Sequence, residues 1–238
     1  MRNNGMAPHR IHRVETLELS VAPFAWPFAQ ARAGEIAAHF AEKQREKPKL
    51  WNGRILLGRS PMFDGTHFTA CYFEAGFADL LAWRDWGFPD REVFNGFGMG
   101  ALRTTDGAFV LGEMGAHTAN AGRIYFPAGT PDRDDIDGDR LDIAGSVMRE
   151  IAEETGLAPG DYRAEPYWDC VVSGPAIAMM RTLQLDMGAE EARARIEANL
   201  AAQQHPELAA VHLVRSRSDF TSTMPLFVTA FLEMQFDS

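Results

Sequence analysis

The chain has 238 residues, of which 46% are hydrophobic and 24% charged, and both fractions are typical of a globular protein. A chain of this length can bury roughly 70% of the surface that it exposes when unfolded, so its core needs no disulfide or metal ion. The net charge of −10 argues against nucleic acid or an anionic membrane as the main partner, because both favour clustered lysine and arginine.

The number of cysteines and the hydropathy of the chain both indicate the cellular compartment of the protein. Cys71 and Cys170 are too few for a disulfide framework or a cysteine zinc site, which is expected in a reducing environment. No stretch reaches the roughly 18 consecutive apolar residues of a membrane span, and the apolar stretch Val21–Ala29 contains two prolines and no signal-peptide pattern. We therefore expect a soluble cytoplasmic protein.

The first 95 residues predict a β-rich segment with helices. In chain order, the patterns indicate a strand at 11–21, a helix at 28–47, strands at 51–57 and 67–73, and a helix at 77–86. The cluster of glycine, proline and aspartate at Trp86–Asp90 then marks a boundary. We divide the chain there into an extension, residues 1–95, and a second domain, residues 96–238.

Strands and helices interleave beyond that boundary. The patterns indicate strands at 99–104, 108–112 and 123–126, a helix at 142–155, strands at 162–172 and 176–185, a helix at 190–203, a strand at 210–214 and a helix at 225–234. Asp106-Gly107 favours a hairpin turn, Asp142 an N-cap, Gly156 a helix end, and Pro225 a first helical position. The order predicts an α/β fold with a mixed sheet between helices.

The helix at 142–155 carries three glutamates on one face. Glu150, Glu153 and Glu154 fall within an arc of roughly 100°. The neighbouring apolar stripe consists of Ala144, Val147, Met148 and Ile151. Like charges at these spacings repel, and a hard divalent cation such as Mg²⁺ or Mn²⁺ would replace the repulsion by ligation. For an isolated motif of this kind, a solvated acidic face is the alternative interpretation.

The run Arg149-Glu150-Ile151-Ala152-Glu153-Glu154-Thr155-Gly156-Leu157 resembles the second half of the signature of the Nudix hydrolase family. That signature is a glycine, five residues, a glutamate, seven residues, and then Arg-Glu-apolar-x-Glu-Glu-x-Gly-apolar. Gly129, which follows Phe126-Pro127-Ala128, resembles the glycine that opens the signature. The pattern places this glycine 14 positions before the arginine. Here Gly129 lies 20 positions before Arg149, so the segment between them has six extra residues.

The extra residues lie in an acidic loop at 130–141, and Leu141 occupies the position of the family's first glutamate. Asp135, Asp139 or Asp142 could replace that glutamate, and the sequence does not distinguish among them. We expect the loop to be a surface excursion whose shortening the fold tolerates.

The resemblance, which extends over about Gly98–Phe231, implies a Nudix-type α/β/α sandwich to which residues 1–95 add a β-rich layer. It implies metal-dependent hydrolysis of the pyrophosphate bond in a nucleoside diphosphate linked to another moiety, such as a nucleotide sugar, ADP-ribose or coenzyme A. Mg²⁺ or Mn²⁺ would be held by the three glutamates and by the backbone carbonyl of Gly129. Arg149 would hold a glutamate in place.

Further candidates lie outside the helix. A glutamate after the signature often assists catalysis in the family, and Glu207 lies in such a place, with Glu165 and Asp186 as competitors. Arg103 and Arg123 are candidates for phosphate contacts. The expected partner is a small-molecule nucleotide, with a homodimer as an option for assembly. Two other functions stay open: a non-catalytic nucleotide-binding regulator on the same fold, and a hydrolase of damaged nucleoside triphosphates.

Two further patterns have a structural alternative. Gly96-Phe97-Gly98-Met99-Gly100 is rich in glycine, but a dinucleotide-binding fingerprint requires a following helix, and a strand is predicted instead. Five aromatic residues could stack on a base or pack in a core, namely Trp83, Trp86, Phe88, Phe94 and Phe97.

Overall fold

The computed structural model describes residues 9–237, whose strands form one extended mixed sheet. The strands are β1 (Arg10–Val14), β2 (Thr16–Val21), β3 (Arg54–Asp64), β4 (His67–Gly76), β5 (Val93–Arg103), β6 (Phe109–Met114), β7 (Ile124–Tyr125), β8 (Ile136–Asp137), β9 (Arg140–Leu141), β10 (Tyr162–Ala164), β11 (Trp168–Ser173), β12 (Ala176–Leu185) and β13 (Leu208–Val214). The helices are α1 (Pro27–Ala31), α2 (Ala33–Glu46), α3 (Phe77–Asp85), α4 (Ile143–Thr155), α5 (Ala189–Ala202) and α6 (Leu226–Phe236). The predicted α/β class with a mixed sheet is confirmed.

The predicted elements occur with four changes of detail, the first of which is that the strand expected at 162–172 is divided into β10 and β11. The strand expected at 11–21 is divided at Glu15, because β1 pairs with β11 whereas β2 pairs with β4. The helix expected at 28–47 is divided at Arg32. Pro225 is the N-cap of α6 and not its first residue. Within residues 9–237, none of the helices has the length and apolar character needed to cross a membrane.

Strand β5 joins the two halves of the chain. Along most of its length it pairs in parallel with β12, while its first residues pair with β3 and its last residues with β6. The boundary predicted after residue 95 therefore falls within this strand. A continuous sheet consequently runs from the extension into the second half of the chain.

Helix α4 packs closely on β5 because β5 contains glycines. A Cβ atom at Gly98 would lie 2.6 Å from Cγ2 of Val147, and one at Gly100 would lie 2.6 Å from Cδ1 of Ile151. The glycine-rich stretch thus allows a helix to approach a strand. Val147 and Ile151 are buried as predicted, whereas Met148 is 43% exposed, so its predicted place in the apolar stripe is wrong.

The acidic segment before α4 is folded. It contains a 3₁₀ turn at Arg133–Asp135 and the β8–β9 hairpin, and β9 pairs with β2. The N–H of Val21 donates to the carbonyl of Asp139 at 2.8 Å. The N–H of Leu56 donates to the carbonyl of Pro131 at 2.7 Å. The segment lies at the surface as expected, but it is not a free excursion, because backbone hydrogen bonds join it to the extension.

Candidate active site

Both ends of α4 are fixed by local contacts. The side chain of Asp142 accepts a hydrogen bond from the N–H of Gly145 at 2.9 Å, which caps the first turn. Gly156 ends the helix in the left-handed conformation, with φ at 73°. These two contacts set where the helix begins and ends, and packing on β5 sets which face carries the glutamates toward the neighbouring loop.

The three glutamates of α4 have different environments. Glu153 is exposed, the side chain of Glu150 is 14% exposed, and Glu154 is only 3% exposed. Within the described part of the chain, neither carboxylate oxygen of Glu154 has a hydrogen-bond partner. A buried carboxylate without a partner is unfavourable, so Glu154 is the strongest indication of a ligand at this face.

The carboxylates also affect one another. Burial raises the pKa of Glu154 well above its usual range, and the charges of Glu150 and Glu207 raise it further, while the nearby N–H of Ala128 lowers it. Burial raises the pKa of Glu150 to about 7, although the charge of Arg149 acts in the opposite direction. Glu207, from a different part of the chain, is therefore close enough to the helix to interact with its glutamates.

Gly129 lies directly against Glu150. A Cβ atom at position 129 would be 2.1 Å from Oε1 of Glu150, which is closer than any non-bonded contact. Because Gly129 has no side chain, the carboxylate of Glu150 can pack directly against the backbone of the loop. The structure brings the predicted opening glycine and the predicted helix face together across the acidic segment.

Arg149 bridges the acidic segment and the helix. Its Nη2 donates to Oδ1 of Asp135 at 2.6 Å, and its Nη1 donates to Oε1 of Glu150 at 3.2 Å. The side chain of Asp135 is 2% exposed, whereas Asp139 is exposed and Asp142 caps α4. Of the three aspartates that could replace the family's first glutamate, Asp135 is the one paired with the arginine.

The chemistry of these donors fits a hard divalent cation. Carboxylate and backbone carbonyl oxygens are the ligands that Mg²⁺ and Mn²⁺ prefer, and the oxygens of Glu154 have no protein partner in residues 9–237. No three acidic, histidine or cysteine side chains in that range converge on one point as they stand. A cation held by Glu150 and Glu154 would draw in a further ligand from the exposed Glu153 or Glu207.

A cavity of about 810 Å³ lies on the other side of the loop that contacts the glutamates, and none of the four glutamates is among its lining residues. Gly129 and Tyr125 line it, and both are neighbours of the glutamates. Burial raises the pKa of Tyr125, and the charges of Glu154, Glu207 and Glu150 add to this effect, while a hydrogen bond from Asn120 opposes it. Tyr125 and Gly129 therefore connect the acidic face to the cavity.

The remaining predicted residues fall into different places. Arg123 lines the cavity, is exposed, and has no side-chain partner in residues 9–237. The guanidinium of Arg103 lies 5.5 Å from the ring centroid of Phe109, and Arg103 does not line the cavity. Glu165 contacts Gln184 on β12, with 3.4 Å between Oε1 and Nε2. Of the two predicted arginines, the structure places only Arg123 at the cavity.

Sequence reasoning missed one wall of the cavity. This wall comes from α3 and the turn after it, and consists of Phe77, Leu80, Arg84 and Phe88. The density of aromatic residues between positions 83 and 97 was the sequence feature that could have indicated it. That feature did not separate Phe88 and Phe97, which line the cavity, from Trp83, which is fully buried.

Comparisons with known proteins give structural similarity alone. No family model matches the sequence, and no curated protein matches it. A solved structure of Tm1382, described as a putative Nudix hydrolase, has a TM-score of 0.43 at 11% identity, covering 78% of this chain and 99% of that chain. The MutT protein from Methanosarcina mazei Go1 has a TM-score of 0.39 at 18% identity (60% and 94% covered), and RenU, a Nudix hydrolase from M. Smegmatis, has 0.38 at 11% (60% and 82%). Similarity at this level says nothing about the substrate of this chain.

Proposed function

We propose that this protein hydrolyses the pyrophosphate bond of a nucleoside diphosphate linked to another moiety, with Mg²⁺ or Mn²⁺ as cofactor. The observation that carries the proposal is Glu154, whose carboxylate is buried without a hydrogen-bond partner in the described chain and lies next to Glu150, which in turn lies against Gly129 in the cavity wall. A purely structural acidic face would leave such a group solvated. The motif Arg149–Leu157 agrees with this reading.

The residues of the site have distinct roles in this proposal. Glu150, Glu153 and Glu154 would hold the cation together with the carbonyl of Gly129. When bound, a divalent cation neutralises phosphate charge and makes a coordinated water more acidic. Arg149 is a positioning residue, because it holds Glu150 while Asp135 holds the arginine. Glu150 and Glu207 are the candidates for accepting a proton from the attacking water.

Charge explains why the cation is required. The chain carries a net charge of −10, and Gly129 in the cavity wall lies against Glu150, so a pyrophosphate that approaches this wall would be repelled. Arg123, which lines the same cavity and has no side-chain partner in residues 9–237, supplies a positive charge for the phosphates. A cation and one arginine together can hold an anionic substrate next to three carboxylates.

The direct test is a hydrolysis screen in Mg²⁺ and in Mn²⁺. The substrates are nucleotide sugars, ADP-ribose, coenzyme A, dinucleoside polyphosphates and deoxynucleoside triphosphates, and Glu154→Gln is the matched control. We expect turnover of at least one linked diphosphate that is lost in the variant. Turnover of the deoxynucleoside triphosphates alone would favour the alternative of a hydrolase of nucleoside triphosphates, and turnover that the variant retains would place catalysis elsewhere.

A non-catalytic nucleotide-binding regulator is the second candidate. Leu141 at the position of the family's first glutamate favours it, as does the absence, in residues 9–237, of three ligands already gathered at one point. A regulator would bind a nucleotide in the same cavity without turning it over. Binding of ADP-ribose by calorimetry, together with no hydrolysis in either metal, would support that function.

A further inference from the structure

The wall that α3 contributes to the cavity contains a strained residue. Phe88 has φ at 57°, in the left-handed region that bulky residues rarely adopt, and it follows Gly87, whose φ is 77°. The N–H of Phe88 donates to the carbonyl of Trp83 at 2.8 Å, and its ring meets the Trp83 ring edge to face at 4.8 Å. The fold thus holds an aromatic side chain at the cavity at a conformational cost, a feature that clusters at binding sites.

Other aromatic side chains line the same cavity. Phe97 on β5 and Phe227 on α6 meet edge to face, with 5.5 Å between their ring centroids. Phe77 and Tyr125 line the cavity as well. A volume of about 810 Å³ lies within the range of sites for small organic ligands, so the cavity can hold more than a pyrophosphate. The additional space is lined by rings from both halves of the chain.

The cavity wall also contains a side-chain amide without a partner. Asn95 lies on β5 and lines the cavity; its Oδ1 is buried, and its amide makes no side-chain hydrogen bond within residues 9–237. Rotation of the amide by 180° exchanges its donor and its acceptor, so it can face either kind of group. A ligand with hydrogen-bonding atoms in a plane, as on the edge of a base, would provide the missing partner.

Arg84, on the same wall as Phe88, can be released at little cost. Its Nε lies 3.2 Å from Oδ1 of the adjacent Asp85, a half-exposed contact. The other oxygen of Asp85 already binds Lys43 at 3.0 Å and His39 at 3.1 Å. Asp85 therefore remains paired if Arg84 turns toward a ligand.

We infer that this wall of the extension binds the base of a nucleotide, with Phe88 and Asn95 as specificity-determining residues. The inference rests on the proposed function only in that it assigns the cavity to the same substrate. Each of the bases can stack on an aromatic side chain, because every base has a π-face. The edge of a base offers the hydrogen bonds that Asn95 lacks. The pantetheine arm of a coenzyme also carries amides, but it has no aromatic ring to stack on Phe88, which favours a base.

The test compares ligands that differ only in the base. Binding of AMP and of ribose 5-phosphate is measured by calorimetry with MgCl₂, in wild type, Phe88→Leu and Phe24→Leu. Phe24 is the matched control, because it packs on the same core cluster as Phe88 and makes one edge-to-face ring contact, but does not line the cavity. We expect wild type to bind AMP about tenfold or more tightly than ribose 5-phosphate, and Phe88→Leu to remove most of that difference while Phe24→Leu keeps it.

A second variant tests the amide. Asn95→Ala should weaken the binding of AMP about fivefold and leave the binding of ribose 5-phosphate unchanged, since only the base contacts the amide of Asn95. Equal binding of AMP and ribose 5-phosphate by wild type, or equal effects of Phe88→Leu and Phe24→Leu, would overturn the inference. Tighter binding of 4′-phosphopantetheine than of AMP would also overturn it. AMP binding that depends on Phe88 without hydrolysis of any substrate would support the base site while contradicting the proposed function.

Discussion

Arg149 on α4 donates to Asp135 at 2.6 Å, and this contact ties the acidic segment before the helix to the face that carries the glutamates. Asp135 is nearly fully buried, and its second carboxylate oxygen accepts the N–H of Asp132 at 3.0 Å. The carbonyl of Asp135 accepts the N–H of Asp142, the N-cap of α4. One residue of the segment thus holds both the start of the helix and its arginine.

Replacing Asp135 should reduce the stability of the fold. In Asp135→Ala, the arginine loses its shortest ionic contact and the N–H of Asp132 loses its partner, which costs about 2 kcal/mol of unfolding free energy, less than a fully buried pair because the Arg149 side chain is 36% exposed. Asp134→Ala is the control, since Asp134 is exposed, and should stay within about 0.5 kcal/mol. Urea unfolding of both variants measures the difference, and equal stabilities would contradict the role of Asp135.

Shortening the acidic segment should destabilise the fold, because the segment is hydrogen-bonded to the extension. Deletion of residues 133–138 removes Asp135 and most of the β8–β9 hairpin, whose second strand pairs with β2. Arg133→Ala removes only the exposed ion pair with Glu74 at 2.6 Å and should cost less than about 1 kcal/mol. A deletion variant as stable as Arg133→Ala, measured by thermal unfolding, would restore the interpretation of the segment as a tolerated excursion.

The helix and its glutamates could be predicted because their causes are local. Asp142 and Gly156 mark the two ends of α4, and the period of 3.6 residues places Glu150 and Glu154 on one face, all within 15 residues of sequence. The glycine-rich stretch 96–100 was instead interpreted as a loop before a strand at 99–104, whereas it lies within β5. Local patterns therefore accounted for the element that bears the proposed chemistry.

The rest depends on contacts between distant residues. Nothing in the spacing of the acidic segment distinguishes Asp135 from Asp139, because the choice follows from which one the hairpin buries beneath Arg149. The contribution of Phe88 to the cavity likewise depends on β3 pairing with β5, which carries α3 to the side of Phe97. Met148 was misplaced because helical period alone does not say how wide the buried stripe is.

Gly129→Ala should lower activity more than stability. The added methyl group would meet Oε1 of Glu150 at 2.1 Å, and the flexible end of the glutamate can move away, so the fold survives while the carboxylate is displaced. We expect a loss of turnover of about tenfold or more, because catalytic groups must be held within a fraction of an ångström. Gly160→Ala is the control, since no atom lies within 4 Å of its added Cβ. Equal turnover in the two variants would remove Gly129 from the site.

Activity should require a divalent cation, while the fold should not. In excess EDTA we expect turnover to stop, because the acidic face cannot approach a pyrophosphate unaided, and to return with Mg²⁺ or Mn²⁺. The thermal unfolding midpoint should change little on chelation, since the core of the chain is apolar and extensive. Full turnover in EDTA would contradict the metal assignment, and unfolding in EDTA would make the cation structural.

Glu154→Gln separates catalysis from stability. The change keeps size and helix propensity nearly constant and removes one charge from the buried face. Turnover should fall about a hundredfold or more, on the scale of losing one preorganised electrostatic group. In EDTA the variant should be as stable as wild type or more stable, because the carboxylate that it removes is buried without a hydrogen-bond partner in the described chain.

The pH dependence of that stability follows from the sign of the pKa shifts. Burial raises the pKa of Glu154 well above the value of 4.5 expected for the unfolded chain, and raises that of Glu150 to about 7, so the folded state retains protons that the unfolded state has released. Stability from these groups is therefore complete below pH 4.5 and is lost as the pH rises through each folded-state pKa, which is about 7 for Glu150. In EDTA, the wild-type unfolding midpoint should fall relative to that of Glu154→Gln as the pH rises above 4.5, the value for the unfolded chain. Midpoints that stay parallel across this range would mean that Glu154 is solvated in the metal-free protein, and the buried carboxylate on which the proposed site depends would be absent.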